Sequence, residues 1–262
     1  MNLGDDLSSL SNLPVFGFTD LLEATGHAPT WELPPGAGVI ETPEATTVLA
    51  VRHTGGVVML GDRQATEGYS VAHRTIQKVF RADDHSAIAI SGTAGLAIEL
   101  VRLFRTELEH YEKLEDTTLS LEGKANYLAR MVRGQLPMAF QGLVVVPLFC
   151  GYDAANESGR LFTFDVVGGR YEEEDFGATG SGSREAKSYL RNRYQADLDE
   201  AGALELAMSA LVAAAEQDVA TGGPDPRRGI YPSVVAIDGG GYRERPDSAV
   251  APIAEAALEV VR

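Results

Sequence analysis

Along this chain the hydrophobic period changes four times, and the order of those changes restricts the fold more tightly than any single motif. From Thr46 the chain alternates short β-branched runs with glycine punctuation. These are Thr46 to Arg52, Gly55-Gly56, Val57-Val58-Met59-Leu60 and Gly61-Asp62, followed by Ser86 to Ser91 ending at Gly92. From about Thr93 the apolar residues Ala97, Leu100, Val101, Phe104, Leu108 and Tyr111 recur three and four apart, and Tyr127, Leu128, Met131 and Val132 repeat the spacing. That is the pattern of two amphipathic helices. Strands return at Leu143 to Gly151 and at Arg160 to Val166, separated by the turn-rich stretch Asp153 to Gly159. A second helix pair is expected from about Ser183, an N-cap candidate, to Tyr194 and from about Glu200 to Val219, and Pro232 to Asp238 closes as a strand. The strands are joined as hairpins and do not alternate with helices as βαβ units would. Each helix pair must bury an apolar stripe, which two packed sheets with one pair on each outer face would allow. The expectation is an α+β domain, a four-layer αββα sandwich of two antiparallel sheets.

The first 45 residues differ from this body. They hold seven of the 38 acidic residues and none of the 22 basic ones. Pro14, Gly17 and Asp20 interrupt the apolar patch around Phe16 and Phe18, and no basic residue precedes it, so the segment does not resemble a secretory signal. Its Pro34-Pro35-Gly36 cluster and polar content suggest a flexible leader with one short docking patch around Phe16, Phe18, Leu21 and Leu22. No run reaches the roughly 18 apolar residues of a membrane span. A net charge of −16 argues against nucleic acid or anionic lipid as the main partner. The single cysteine, Cys150, lies within an apolar strand run and has no intrachain disulfide partner, which fits a cytoplasmic location. The histidines lack metal-ligand spacing, and neither a metal nor a cofactor is expected.

The boundary at Ala45-Thr46-Thr47 has a chemical meaning. A chain cut before Thr46 would present, on one residue, a hydroxyl nucleophile and a primary amine able to serve as its base. Lys78, among the apolar residues of Ile76-Gln77-Lys78-Val79-Phe80, is a candidate cation for favouring the deprotonated forms, and Asp62 a candidate partner for it. Taken singly, Lys78 reads more simply as a solvated edge charge and Asp62 as a turn residue. Gly92, between a strand and a helix in Ser91-Gly92-Thr93-Ala94-Gly95, could offer a backbone N–H to an oxyanion. Gly180-Ser181-Gly182-Ser183 is a second strand-to-helix connection without the Lys-Ser/Thr ending of a phosphate loop.

In their order, Thr46-Thr47, Gly61-Asp62-Arg63, Lys78, Ser91-Gly92-Thr93-Ala94, Gly180-Ser181-Gly182-Ser183 and Asp218-Val219-Ala220-Thr221-Gly222-Gly223 resemble the proteasome β-subunit of the actinobacterial type. The resemblance covers residues 46 to 262. It implies the N-terminal-nucleophile hydrolase fold, a propeptide of residues 1–45 removed by autocleavage, and a peptidase domain of residues 46–262. Thr46 would be the nucleophile, Asp62 and Lys78 the pair that tunes it, and Gly92 the oxyanion donor. Ser181 and Asp218 would orient the terminal amine. Ala65, Ile76, Ile90 and Ala94 would face the primary specificity pocket, and their apolar character suggests large hydrophobic substrate side chains. Thr221 stands at a position that is often serine and keeps the hydroxyl.

The resemblance also implies a β-ring of copies of this chain, α-type partner subunits and a separate ATP-dependent unfoldase ring, with protein and peptide substrates. One residue departs from the pattern: Ala45 replaces the usual glycine before the nucleophile, where a tight turn is needed, so slower processing is expected. Two other readings compete. A ring subunit that never matures would be favoured by Ala45 alone, and a small-molecule amidase on the same fold would need no ring.

Overall fold

The computed structural model describes residues 46–67 and 70–261. The leader, with its docking patch and Ala45, lies outside the described residues.

Two five-stranded antiparallel sheets form the centre. The first has the order β10-β1-β2-β11-β12, in which β1 is Thr47–His53, β2 is Gly56–Gly61, β10 is Phe176–Gly180, β11 is Ser233–Asp238 and β12 is Gly241–Arg245. The second has the order β5-β6-β7-β8-β9, formed by Val79–Asp83, Ser86–Gly92, Val145–Asp153, Ser158–Phe164 and Arg170–Glu173. A short hairpin, β3 (Ala65–Glu67) and β4 (Ser70–His73), stands apart from both.

The four layers follow from strands that are apolar on both faces. Successive strand residues point to opposite sides, so Val48 and Ala50 face one way and Leu49 and Val51 the other. In register with them, Val57 and Met59 join the first set and Val58 and Leu60 the second. The first set packs between the sheets with Val79, Ala87, Ala89, Leu148, Cys150 and Leu161. The second lies under the helices α4 (Ser183–Arg193), α5 (Glu200–Gln217) and α6 (Asp247–Val261), through Leu190, Ala207, Leu211 and Ala254 among others. On the far face of the second sheet, Ile88, Phe149 and Phe162 meet Leu100, Phe104 and Leu128 of α1 (Ala94–Glu115) and α2 (Leu121–Gly134). Each fully buried Leu or Phe here contributes about 1.5–3 kcal/mol of burial free energy.

The αββα sandwich is therefore the observed architecture, with corrections in detail. One face carries three helices, because the segment from Gly241 forms β12 and then α6, which adds Val250, Ala254 and Ala257 to the core beside α5. The pair β3 and β4, the edge strands β5, β9 and β10, and a one-turn helix α3 (Leu136–Ala139) also go beyond the pattern read from sequence. Ser183 is the first residue of α4, and Gly182 holds the N-cap position.

Candidate active site

Thr46 enters β1 at the end of the sandwich where β2 and β10 also terminate. The strand pairing sets Thr47 opposite Gly180 and Val48 opposite Gly61, so the residues that follow β2 and β10 gather around Thr46. The Thr46 carbonyl accepts from Ser181 N–H at 2.9 Å and from Ser181 Oγ at 3.4 Å. Asp62, the residue after β2, donates its N–H to the Thr47 carbonyl at 3.1 Å, and Asp62 Oδ1 accepts from Thr47 N–H at 2.9 Å. This reciprocal pair ties the start of the strand to the carboxylate.

Lys78 reaches the same place from the loop before β5. Its carbonyl accepts from Ile90 N–H at 3.0 Å, and the Ile76 N–H donates to the Arg63 carbonyl at 3.0 Å, which holds the loop against both sheets. Lys78 Nζ then donates to Asp62 Oδ1 at 2.6 Å and to the Gln64 carbonyl. The side chains are 3% and 0% exposed, so the pair is a buried ion pair. Burial pushes the Asp62 carboxyl up and the Lys78 ammonium down, each toward its neutral form, while their mutual attraction opposes both shifts. The carboxylate has further support, since Asp62 Oδ2 accepts from Gln64 N–H at 3.1 Å and Gly222 N–H at 2.9 Å.

Asp218 arrives at the C-terminal end of α5, where the helix dipole disfavours an anion. Local bonds hold it there: Oδ1 accepts from Ala220 N–H at 3.1 Å and Oδ2 from the Thr221 hydroxyl at 2.6 Å. Thr221 Oγ1 lies 2.6 Å from Thr47 Oγ1, which also accepts from Gly182 N–H at 2.9 Å. The resemblance implies that Ser181 and Asp218 orient the terminal amine. In the structure Ser181 holds the Thr46 carbonyl, and Asp218 bonds to Thr221.

The four residues that the resemblance places in an apolar pocket share a single depression. Ala65, Ile76, Ile90 and Ala94 line it together with Thr46, Lys78 and Gly92, and Gln77, Ala97 and Ile98 complete it. Gly92 has φ +98°, and a Cβ there would collide with the Val144 carbonyl, so only glycine lets the chain turn here from β6 into α1. Thr47 and Gln64 escaped the sequence reading as site residues. Their role lies in tertiary hydrogen bonds, and the Thr-Thr pair was the only signal for Thr47. Among the described residues no group of His, Cys, Asp and Glu side chains is arranged to hold a metal ion.

A hydroxyl-bearing residue, a buried lysine–aspartate pair, a glycine turn and an apolar pocket in one place form a recognisable set, and comparison with known proteins agrees on what the set belongs to. The family described as proteasome subunit matches residues 42–225. The chain belongs to the proteasome subunit family. It is 55% identical over 222 residues to the proteasome subunit beta of Acidimicrobium ferrooxidans, covering 85% of this chain and 81% of the relative. It is 53% identical over 228 residues to that of Acidothermus cellulolyticus, covering 86% and 79%. To that of Streptomyces griseus it is 52% identical over 227 residues, covering 87% and 81%. Within the proteasome family the chain is thus a β-type subunit, the catalytic kind, and a protease component of a core particle built with other subunits.

Proposed function

We propose that this proteasome β subunit is a threonine endopeptidase whose nucleophile is Thr46, exposed when residues 1–45 are removed as a propeptide. The observation that carries the reading is that Thr46, Lys78 and Gly92 line the same apolar depression as Ala65, Ile76, Ile90 and Ala94. A substrate side chain seated there would bring its scissile carbonyl to the threonine.

In the precursor the Thr46 nitrogen is an amide and cannot act as a base. The Thr46 hydroxyl passes its proton to a water beside Lys78 or Ser181 and attacks the Ala45 carbonyl carbon. The Ala45–Thr46 C–N bond breaks as the nitrogen takes a proton, and water hydrolyses the ester left on Thr46 Oγ1. The freed amine, with an ordinary pKa of about 8, is partly deprotonated near neutrality and becomes the base. In peptide hydrolysis the hydroxyl proton moves to this amine as the oxygen attacks the scissile carbonyl, and Gly92 N–H donates to the oxyanion. The leaving amine takes the proton, and a water then releases the acyl group and restores the threonine.

The working assembly in this reading is a cytoplasmic chamber in which rings of this chain stack against rings of α-type subunits. A separate ATP-dependent ring supplies unfolded protein. Among the described residues no helix is long and apolar enough to cross a membrane, which is compatible with that setting. A purely structural subunit would not need the buried Lys78–Asp62 pair and Gly92 gathered around Thr46 at an apolar pocket. The test is hydrolysis of peptides with varied residues before the scissile bond, by the chain assembled with its α-type partner. Cleavage after large apolar residues that disappears in Thr46→Ala is the expected result. Equal hydrolysis by Thr46→Ala would remove Thr46 from the chemistry.

A further inference from the structure

We propose that Thr47 is a positioning residue between the two carboxylates flanking the nucleophile: its backbone N–H holds Asp62, its hydroxyl stands in a directed hydrogen-bond chain that ends on Asp218, and full turnover requires that hydroxyl. The inference rests on the reading of Thr46 as nucleophile and adds a residue to it.

The direction follows from counting hydrogens. Asp218 Oδ2 accepts from the Thr221 hydroxyl at 2.6 Å. A hydroxyl carries one hydrogen, so Thr221 has none left for its 2.6 Å contact with Thr47 Oγ1, and Thr47 must be the donor there. Thr47 Oγ1 meanwhile accepts from Gly182 N–H at 2.9 Å. The order is fixed: Gly182 N–H to Thr47, Thr47 to Thr221, Thr221 to Asp218. On its other side Thr47 donates its backbone N–H to Asp62 Oδ1 at 2.9 Å, and Asp62 holds Lys78 at 2.6 Å. Gly222 N–H donates to Asp62 Oδ2 at 2.9 Å, so the ring of contacts closes through Thr47, Thr221, Gly222 and Asp62.

Thr47 and Thr221 are 0% and 4% exposed, so water is poorly placed to replace a lost link. Thr47 is bonded covalently to Thr46, and Gly182 follows Ser181, whose N–H holds the Thr46 carbonyl at 2.9 Å. An error in this chain is therefore passed to the nucleophile's own backbone. The substrate pocket is lined by other residues, Thr47 not among them, so substrate binding should be spared.

The experiment compares wild type, Thr47→Ser, Thr47→Val, Thr221→Val and the double valine variant, each assembled with its α-type partner, for kcat and KM on one peptide. Wild type and Thr46→Ala are run first. An inactive wild type or an active Thr46→Ala removes the nucleophile reading itself, whereas an active wild type with Thr47→Val unchanged overturns only the present inference. Valine keeps the shape of threonine and lacks the hydroxyl. Thr47→Val is expected to lower kcat at least about 10-fold with KM within about 2-fold, the signature of an interaction realised in the transition state. Thr47→Ser, which keeps the donor, should stay within about 3-fold of wild type. The double variant should be no worse than the worse single, because both cut the same chain. Losses that multiply in the double variant, that fall on KM, or that are as large in Thr47→Ser would overturn the proposal. Should Thr47→Val fail to assemble, Thr221→Val at the next link carries the test, and wild-type kcat in that variant overturns it.

Discussion

Replacing Lys78 with methionine keeps most of the side chain's length and removes its ammonium from Asp62. The carboxylate stays where it is, 0% exposed and within 2.9–3.1 Å of the N–H groups of Thr47, Gln64 and Gly222. Removing one partner of a buried ion pair costs about 3–5 kcal/mol. Because three donors still face Asp62, a loss near the lower end, about 3 kcal/mol, is expected, or roughly 6–12 °C in Tm for a body of this size. The loss must depend on pH. Burial already holds the Asp62 carboxyl above its ordinary value, and the Lys78 charge that pulls it back is gone in the variant. A carboxyl raised in the folded state binds more protons there than in the unfolded chain, so stability falls as pH rises from the unfolded value through the folded one. Lys78, held below its ordinary value in the wild type, adds stability there as pH rises through its own window, and the variant lacks this. Both effects widen the gap with increasing pH. Calorimetry of the assembled particle in a Thr46→Ala background should show a larger deficit at pH 8 than at pH 5.5, and Lys78→Met/Asp62→Asn should recover about half of it. A deficit that is flat across that range, or a double variant as unstable as the single, would refute the reasoning.

Three further outcomes follow from the same geometry. In Gly182→Ala the new Cβ would stand 2.6 Å from Thr221 Oγ1 and 2.8 Å from Thr47 Oγ1, so kcat should fall at least about 10-fold while the particle still assembles, and an unchanged kcat would contradict the placement of those hydroxyls. Ala65→Phe should fill the pocket floor beside Ile76, Ile90 and Ala94, removing cleavage after large apolar residues more than after small ones; peptides differing only at that residue read the ratio. Cys150 is fully buried and its thiol is pushed far up by burial, so a thiol reagent should leave the native protein unlabelled at pH 8 and label it once unfolded, and rapid native labelling would contradict the inter-sheet packing.

The architecture was legible where hydrophobic spacing is set by burial. The runs Val48 to Val51 and Val57 to Leu60 are buried on both faces, and the stripes of α1, α2 and α5 face the sheets as their spacing indicates. What the spacing could not show were elements whose stability comes from context. Strand β10 includes Gly177 and Gly180, residues of weak strand propensity, and is held by its pairing with β1. Helix α6 carries Pro252, which a reading by propensity counts against a helix, yet its alanine-rich face packs on α5. The pocket residues Ala65, Ile76, Ile90 and Ala94 came from resemblance, since nothing in their local sequence joins positions on four separate segments. The Thr47–Thr221 contact links residues 174 apart in the chain, and only the three-dimensional fold reveals it.

The intact mass of the chain after co-expression with an α-type subunit, beside Thr46→Ala, tests the central claim most directly. The account predicts that wild type loses residues 1–45 and begins at Thr46, that Thr46→Ala keeps them, and that Ala45→Gly is processed at least as fast as wild type. A wild-type chain that remains full length in an assembled particle, or a Thr46→Ala chain cut at the same bond, would contradict it.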